Sequence, residues 1–254
     1  MLHVRLISDI HLEYTPYVVS LNNEDILIIA GDISPVFEDS IKLITDYLKI
    51  NLSVFIILIL GNHDYYGNAL ENTIYKWREF THDRFHFLHD NYVELYGYYF
   101  YGTTMWTNVD GKYIHDVSIQ KYELSDYIEI TGFSVKRCNE LHHRSKTILK
   151  HFLNTRTIEE NIVVITHHLP SYRSINAKYM DNILNSCYAS SDLDHLMSNK
   201  NIKYWMHGHT HQSNNYWDEL TNTRVICNPR GRCDIETNVC ENKNFNDNLI
   251  IKLL

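Results

Sequence analysis

Carboxylate, imidazole and amide groups recur in short, spaced sets along this 254-residue chain: Asp9-x-His11, Gly31-Asp32, Gly61-Asn62-His63-Asp64, Thr166-His167-His168 and His207-Gly208-His209-x-His211. Oxygen and nitrogen donors together suit Mn, Fe, Zn or Co better than Mg or Ca, which favour oxygen alone. Asp9 and His11, two residues apart, can face one ion while Ile10 turns back to the core, and His209 and His211 repeat the spacing around Thr210. Asp32 has two oxygens with which to bridge two ions, Gly31 permits close backbone approach, and Asn62 offers a neutral oxygen. Two ions about 3.5–4 Å apart clamp an attacking and a phosphoryl oxygen and lower the pKa of the water between them. That is an arrangement for hydrolysing phosphate esters. His63 is then either the catalytic imidazole beside the scissile bond, oriented by Asp64, or support for the ligands; the catalytic role is preferred.

Each set stands at the end of an apolar run. Ile56 to Leu60 is rich in β-branched residues and too short to span a membrane, so it reads as a strand buried on both faces, in a parallel or mixed sheet with helices outside. Runs at 2–7, 26–30, 162–165 and 202–206 end in the other sets. In open α/β sheets, ligands bind at the carboxyl edge of the strands, so five such runs predict one cluster along that edge. Between them, Ser40 is expected to cap a helix to about Ile50, Asn68 a second to about Phe80, and Val135 to Leu153 forms a third, amphipathic one. Residues 85–88, 93–101, 204–207, 223–227 and 249–253 read as further strands, and 192–197 as a helix. The stretch 102–132 reads as a long loop with a short helix lying over the active edge, and 171–190 as irregular.

No repeat or linker divides the chain, and residues 1–254 are read as a single domain. A net charge of −8 argues against a broad nucleic-acid-binding face, although metal ions could still supply local positive charge for a phosphate. The five cysteines, at 138, 187, 227, 233 and 240, contain no C-x-x-C pair; buried free thiols are expected, with neither a disulfide framework nor a structural zinc site. No signal-peptide pattern or membrane-length apolar run is present, and an intracellular location is expected. Arg230, after Asn228-Pro229, is either a structural group or a fork for a substrate phosphate. The tyrosines from 92 to 101 either pack a sheet or stack a base.

The ordered motifs Asp9-x-His11, Gly31-Asp32, Gly61-Asn62-His63-Asp64, His167 and Gly208-His209-x-His211 resemble those of the calcineurin-like metallophosphoesterase superfamily and span most of the chain. The resemblance implies an α/β fold: a four-layer αββα sandwich of two mixed β-sheets flanked by helices. It also implies a dinuclear centre, with Asp9, His11, Asp32 and His211 around one divalent ion and Asp32, Asn62, His167 and His209 around the other. His63 corresponds to the family's catalytic histidine, and His167 is preferred to His168 as ligand because it lies nearer the strand end. Gly31-Asp32 continues as Ile33-Ser34-Pro35, unlike the Asp-Arg-Gly that follows this motif in the protein serine/threonine phosphatases of the superfamily. The pattern looks more like the small phosphodiesterases. The expected activity is therefore metal-dependent phosphodiester hydrolysis, with a phosphate-ester substrate, a nucleotide among the candidates. A nuclease is the alternative, and a non-catalytic scaffold a weaker one, since no ligand is missing.

Overall fold

In a computed structural model of the protein, which describes residues 1–109, 124–182, 184–199, 201–219 and 221–253, the apolar runs form two mixed sheets. The first takes β1 (Leu2–Ile7), β2 (Ile26–Ala30), β3 (Phe55–Ile59) and β4 (Phe85–Phe87) in parallel. The second joins β5 (Asn91–Leu95) antiparallel to β6 (Tyr98–Thr103), and then β7 (Asn161–Thr166), β8 (Ile202–His207) and β10 (Thr223–Cys227) in parallel, with β9 (Asn214–Asp218) antiparallel on the outer edge. The last strand, β11 (Ile250–Leu253), closes the first sheet antiparallel to β1.

Register explains why the central strands are apolar throughout. Leu6, Ile28 and Ile57 are paired neighbours facing the second sheet, while Ile7, Ile29 and Leu58, one residue on, face the helices. Phe100 and Val163 meet the first group from the opposite sheet, and Tyr101, Val164, Trp205 and Val225 point outward. Burial on both faces, at about 1.5–3 kcal/mol per large aliphatic side chain, thus supports every residue of these strands. Helix α1 (Phe37–Ile50) and α2 (Leu70–Glu79) cover the first sheet with Leu43, Ile44, Tyr47, Leu70 and Trp77. A 3-10 turn, His63–Tyr65, precedes α2, and a short helix, α3 (Asp126–Glu129), lies beside it. Helix α4 (Val135–Asn154) starts at Ser134, whose hydroxyl accepts from the Arg137 N–H. It covers the second sheet with Leu149 and Phe152. Two short helices, α5 (Asn185–Tyr188) and α6 (Asp194–Met197), complete the elements used below. The order of layers is the expected αββα sandwich.

Several local expectations are corrected. Helix α1 starts three residues before Ser40, which is buried inside it, and α2 is preceded by Ala69 rather than capped by Asn68; neither makes a side-chain cap bond. Acidic residues in the first turns, Glu38, Asp39 and Glu71, complement the helix dipoles instead. The expected strand 93–101 is two strands, because Tyr96 and Gly97 both adopt positive φ and reverse the chain. Strand β9 carries too little apolar character to stand out. Cys233 and Cys240, expected as free thiols, form a disulfide, whereas Cys138, Cys187 and Cys227 are buried and free. Part of the 102–132 loop, residues 110–123, lies outside the described residues.

Candidate metal centre

Because β1, β2, β3, β7 and β8 run parallel within their sheets, their carboxyl ends open on one edge, and contacts across that edge join the two sheets. The Asp9 carboxylate accepts the His209 N–H with both oxygens, at 2.9 and 3.0 Å. His167 donates Nδ1–H to the Ala30 carbonyl at 2.8 Å. Asp9, His11, Asp32, His167 and His209 are buried or nearly so, with Asn62 and His63 at 4 and 6 % exposure.

The loops that carry these donor groups are not extended as the i, i+2 spacing suggested. Asp9, His11, Asp32, His209 and His211 all take positive φ, between 46° and 70°, and they make up half of the ten non-glycine residues that do so among the described residues. Each such residue costs about 1–3 kcal/mol and persists only where its surroundings enforce it. The turn sends Ile10 into the core and both flanking side chains to the edge. At Gly31, with φ +89°, a Cβ would lie 2.6 Å from His167 Nδ1; at Gly208 it would lie 2.7 Å from an Asp9 oxygen. Both glycines are needed for the sheets to meet.

Two sets of donor atoms result. Asp9, His11 and His211 form the first, with His11 Nε2 and His211 Nε2 3.0 Å apart and Asp9 Oδ1 3.4 Å from the latter. Asp32, His167 and His209 form the second, with His167 Nε2 3.3 Å from Asp32 Oδ2 and 3.0 Å from Asn62 Oδ1. Asp32 Oδ2 also lies 3.8 Å from His11 Nε2, so this carboxylate stands between the sets. The Nδ1 atoms of three of these rings are already engaged: His11 with Glu13 Oε1 at 2.9 Å, His211 with Glu241, and His167 with Ala30. Nδ1–H donation leaves Nε2 as a bare lone pair, and His209 Nε2 is buried without a partner among the described residues. Nitrogens facing one another beside a carboxylate are a donor set that a divalent cation satisfies.

The protons compete with that cation. Burial disfavours charge on His167, but the Asp32 carboxylate beside it prevails and raises its pKa to about 9. His211 is raised to about 10, its burial likewise outweighed by its bonds to Asp9 and Glu241. His209, buried and flanked by His168 and His167, is driven well below its ordinary value. His168 also falls, to about 3, through burial and the charge of His167; its Nδ1 faces the Thr104 carbonyl at 3.3 Å, which turns it away from the donor sets.

Asp64 does not orient His63. Its carboxylate is turned inward, accepting N–H bonds from Asp32, Ile33 and Gly61 at 2.8–3.0 Å, and so shapes the loops. The partner of His63 is Glu13, with Oε1 3.0 Å from Nδ1. His63 also stacks on Tyr66, centroids 4.2 Å apart, and its Nε2 lies 3.5 Å from an Arg232 guanidinium nitrogen. Asn62 donates its amide N–H to Asp126 at 2.7 Å, which turns Oδ1 toward His167. Glu13, Asp126, Arg232 and Glu241 were not found by sequence reasoning, since none stands directly at the end of an apolar run. Arg230 is structural: its guanidinium is buried against the Ile10, Thr15 and Pro16 carbonyls. The tyrosines at 92, 99 and 101 pack on Phe152, as sheet packing requires. A cavity of about 520 Å³ opens over the donor sets, extending from His63 and Arg232 to Tyr179 and Asn182.

A pair of mixed sheets that delivers two adjoining sets of carboxylate and imidazole donors to one edge defines an α/β metallohydrolase. Residues 2–213 match the family model of calcineurin-like phosphoesterases, and the chain belongs to that family. It is a dinuclear metal-dependent phosphoesterase. No curated protein matches it in sequence. Among solved structures, it is similar to a phosphopantetheinyl hydrolase from Mycobacterium tuberculosis, with 14% identity, a TM-score of 0.70, and coverage of 89% of this chain and 88% of that one. It is also similar to a dimetal phosphatase from Danio rerio, with 12% identity, a TM-score of 0.49, and coverage of 89% and 86%.

Proposed function

We propose that the protein is a phosphodiesterase in which Asp9, His11, Asp32 and His211 hold one divalent ion, Asp32, Asn62, His167 and His209 hold the other, and His63 is the catalytic imidazole. The observation that carries the reading is the position of Asp32 between two donor sets, its Oδ2 lying 3.8 Å from His11 Nε2 and 3.3 Å from His167 Nε2. The mixed oxygen and nitrogen donors favour Mn, Fe, Zn or Co. When bound, such ions activate water and neutralise charge on the phosphoryl oxygens. The chain's own residues supply the rest. His63, held by Glu13 and Tyr66, faces the cavity through Nε2, where it can protonate the departing ester oxygen. Arg232 lies beside it with a guanidinium suited to a phosphoryl oxygen.

A diester needs room for substituents on both sides of phosphorus, and a cavity reaching from Arg232 on one side to Tyr179 on the other supports that class. The resemblance to the phosphopantetheinyl hydrolase is one of fold and gives no substrate. With Mn supplied, we expect hydrolysis of a chromogenic phosphodiester in preference to the matching monoester, with both lost in Asp32→Ala and the diesterase activity lost in His63→Ala. Failure to cleave either ester with two metals bound would contradict the reading.

A further inference from the structure

We propose that Glu13 is a positioning residue that sets the tautomers of His11 and His63 together through one carboxylate oxygen, presenting Nε2 of His11 to the metal centre and Nε2 of His63 to the leaving group. This rests on the proposed role of His63. The same oxygen, Oε1, lies 2.9 Å from His11 Nδ1 and 3.0 Å from His63 Nδ1. An ionised carboxylate only accepts, so both Nδ1 atoms must carry hydrogen. The two rings meet edge to face at 4.5 Å and an interplanar angle of 78°, so a shift of one presses on the other. The Glu13 side chain is 20% exposed, and Asp64, the nearest alternative in sequence, is fully engaged with backbone N–H groups.

A water oxygen forms the new P–O bond and gives up a proton to solvent. The ester P–O bond breaks, and its electron pair stays on the departing oxygen, which takes the Nε2 proton of His63. The ring becomes neutral while its Nδ1–H remains donated to Glu13, so it need not rotate between the two states. Without Glu13, Nδ1 has no acceptor among the described residues, and the ring can flip or exchange tautomers.

The test is Glu13→Gln, which retains size but replaces a shared acceptor with an amide. Far-UV circular dichroism and bound-metal content serve as controls. We expect two metals to remain, KM for a diester to stay within about twofold, and kcat to fall about 10- to 100-fold, the usual size for loss of an outer partner. The loss should be larger for diphenyl phosphate, whose leaving oxygen needs a proton, than for bis(p-nitrophenyl) phosphate. Glu13→Gln combined with His63→Ala should be no slower than His63→Ala alone. Independently of turnover, imidazole nitrogen NMR of the zinc-loaded protein should show protonated Nδ1 on both His11 and His63, lost from His63 in a second variant, Glu13→Ala, which removes the acceptor that a Gln amide oxygen would keep. Retention of the His63 tautomer in Glu13→Ala overturns the proposal. So does a third bound metal in the wild type that Glu13→Gln removes, since Glu13, His11 and His63 would then be ligands. If the tautomer shifts as expected but the wild type cleaves no diester, the positioning role stands and the phosphodiesterase reading falls.

Discussion

At the scale of single residues, the proposed centre depends on groups that aim the candidate ligands as much as on those ligands themselves. Asp126 shows this for Asn62. Burial raises its pKa against the bonds from Tyr66 and Asn62, yet those bonds keep the Asn62 amide turned with oxygen toward His167. Asp126→Leu should weaken binding of one of two metals by about 10- to 100-fold while leaving the other, as read by titration calorimetry. A second expectation concerns pH. In the metal-free fold His167 and His211 have pKa values raised from 6.5 to about 9 and about 10. Their protonated pairing with Asp32 and Asp9 therefore stabilises the metal-free protein fully below about pH 6.5, and that contribution is lost as pH rises through 9 to 10. Metal binding has the opposite sign, because the ion must displace those protons. Melting temperatures of chelator-treated and zinc-loaded protein should diverge from pH 6.5 to 9, and calorimetry in buffers of different ionisation enthalpy should show protons released at pH 7.

At the scale of elements, two sheets position the site through a core between them, and a stapled loop finishes it. Ile57 is fully buried at the inter-sheet face, away from the metal centre. Ile57→Ala should cost about 2–5 kcal/mol in denaturant unfolding and leave the activity of the folded fraction unchanged. The Cys233–Cys240 bond closes the loop that brings Arg232 to His63 and Glu241 to His211. Reducing it should lower stability by about 2–3 kcal/mol, the range for so short a loop, with a drop in melting temperature on adding a phosphine reductant. The contrast between strands and loops explains what was legible in the sequence. Parallel strands buried on both faces must be apolar without interruption, so Asp9, Asp32, Asn62, His167 and His209 stood out where each run stopped. Glu13 and Asp126 meet the site through hydrogen bonds spanning 50 and 64 residues, and nothing in local periodicity encodes such a meeting. Asp64 misled for the same reason: adjacency to His63 in sequence placed its carboxylate on the opposite side of a tight turn, where backbone N–H groups claim it.

At the scale of the whole molecule, the chain carries a formal net charge of −8. That charge argues against a broad face for a long polyanion. Binding of a single-stranded oligonucleotide at 150 mM salt should accordingly be weak, and tight binding with a steep salt slope in fluorescence anisotropy would favour the nuclease alternative. No helix among the described residues is long and apolar enough to cross a membrane. The layered fold was readable because it follows from the family motifs and from strand burial together; the reversal at Tyr96-Gly97, the polar edge strand β9 and the disulfide were not, since none is required by the core. In the proposed centre, one edge of this sandwich holds two ions across Asp32. Anomalous diffraction from crystals soaked in Mn measures this directly. Two peaks about 3.5–4 Å apart, with Asp32 touching both, are expected. A single peak, or a pair that leaves Asp32 unliganded, would contradict that arrangement.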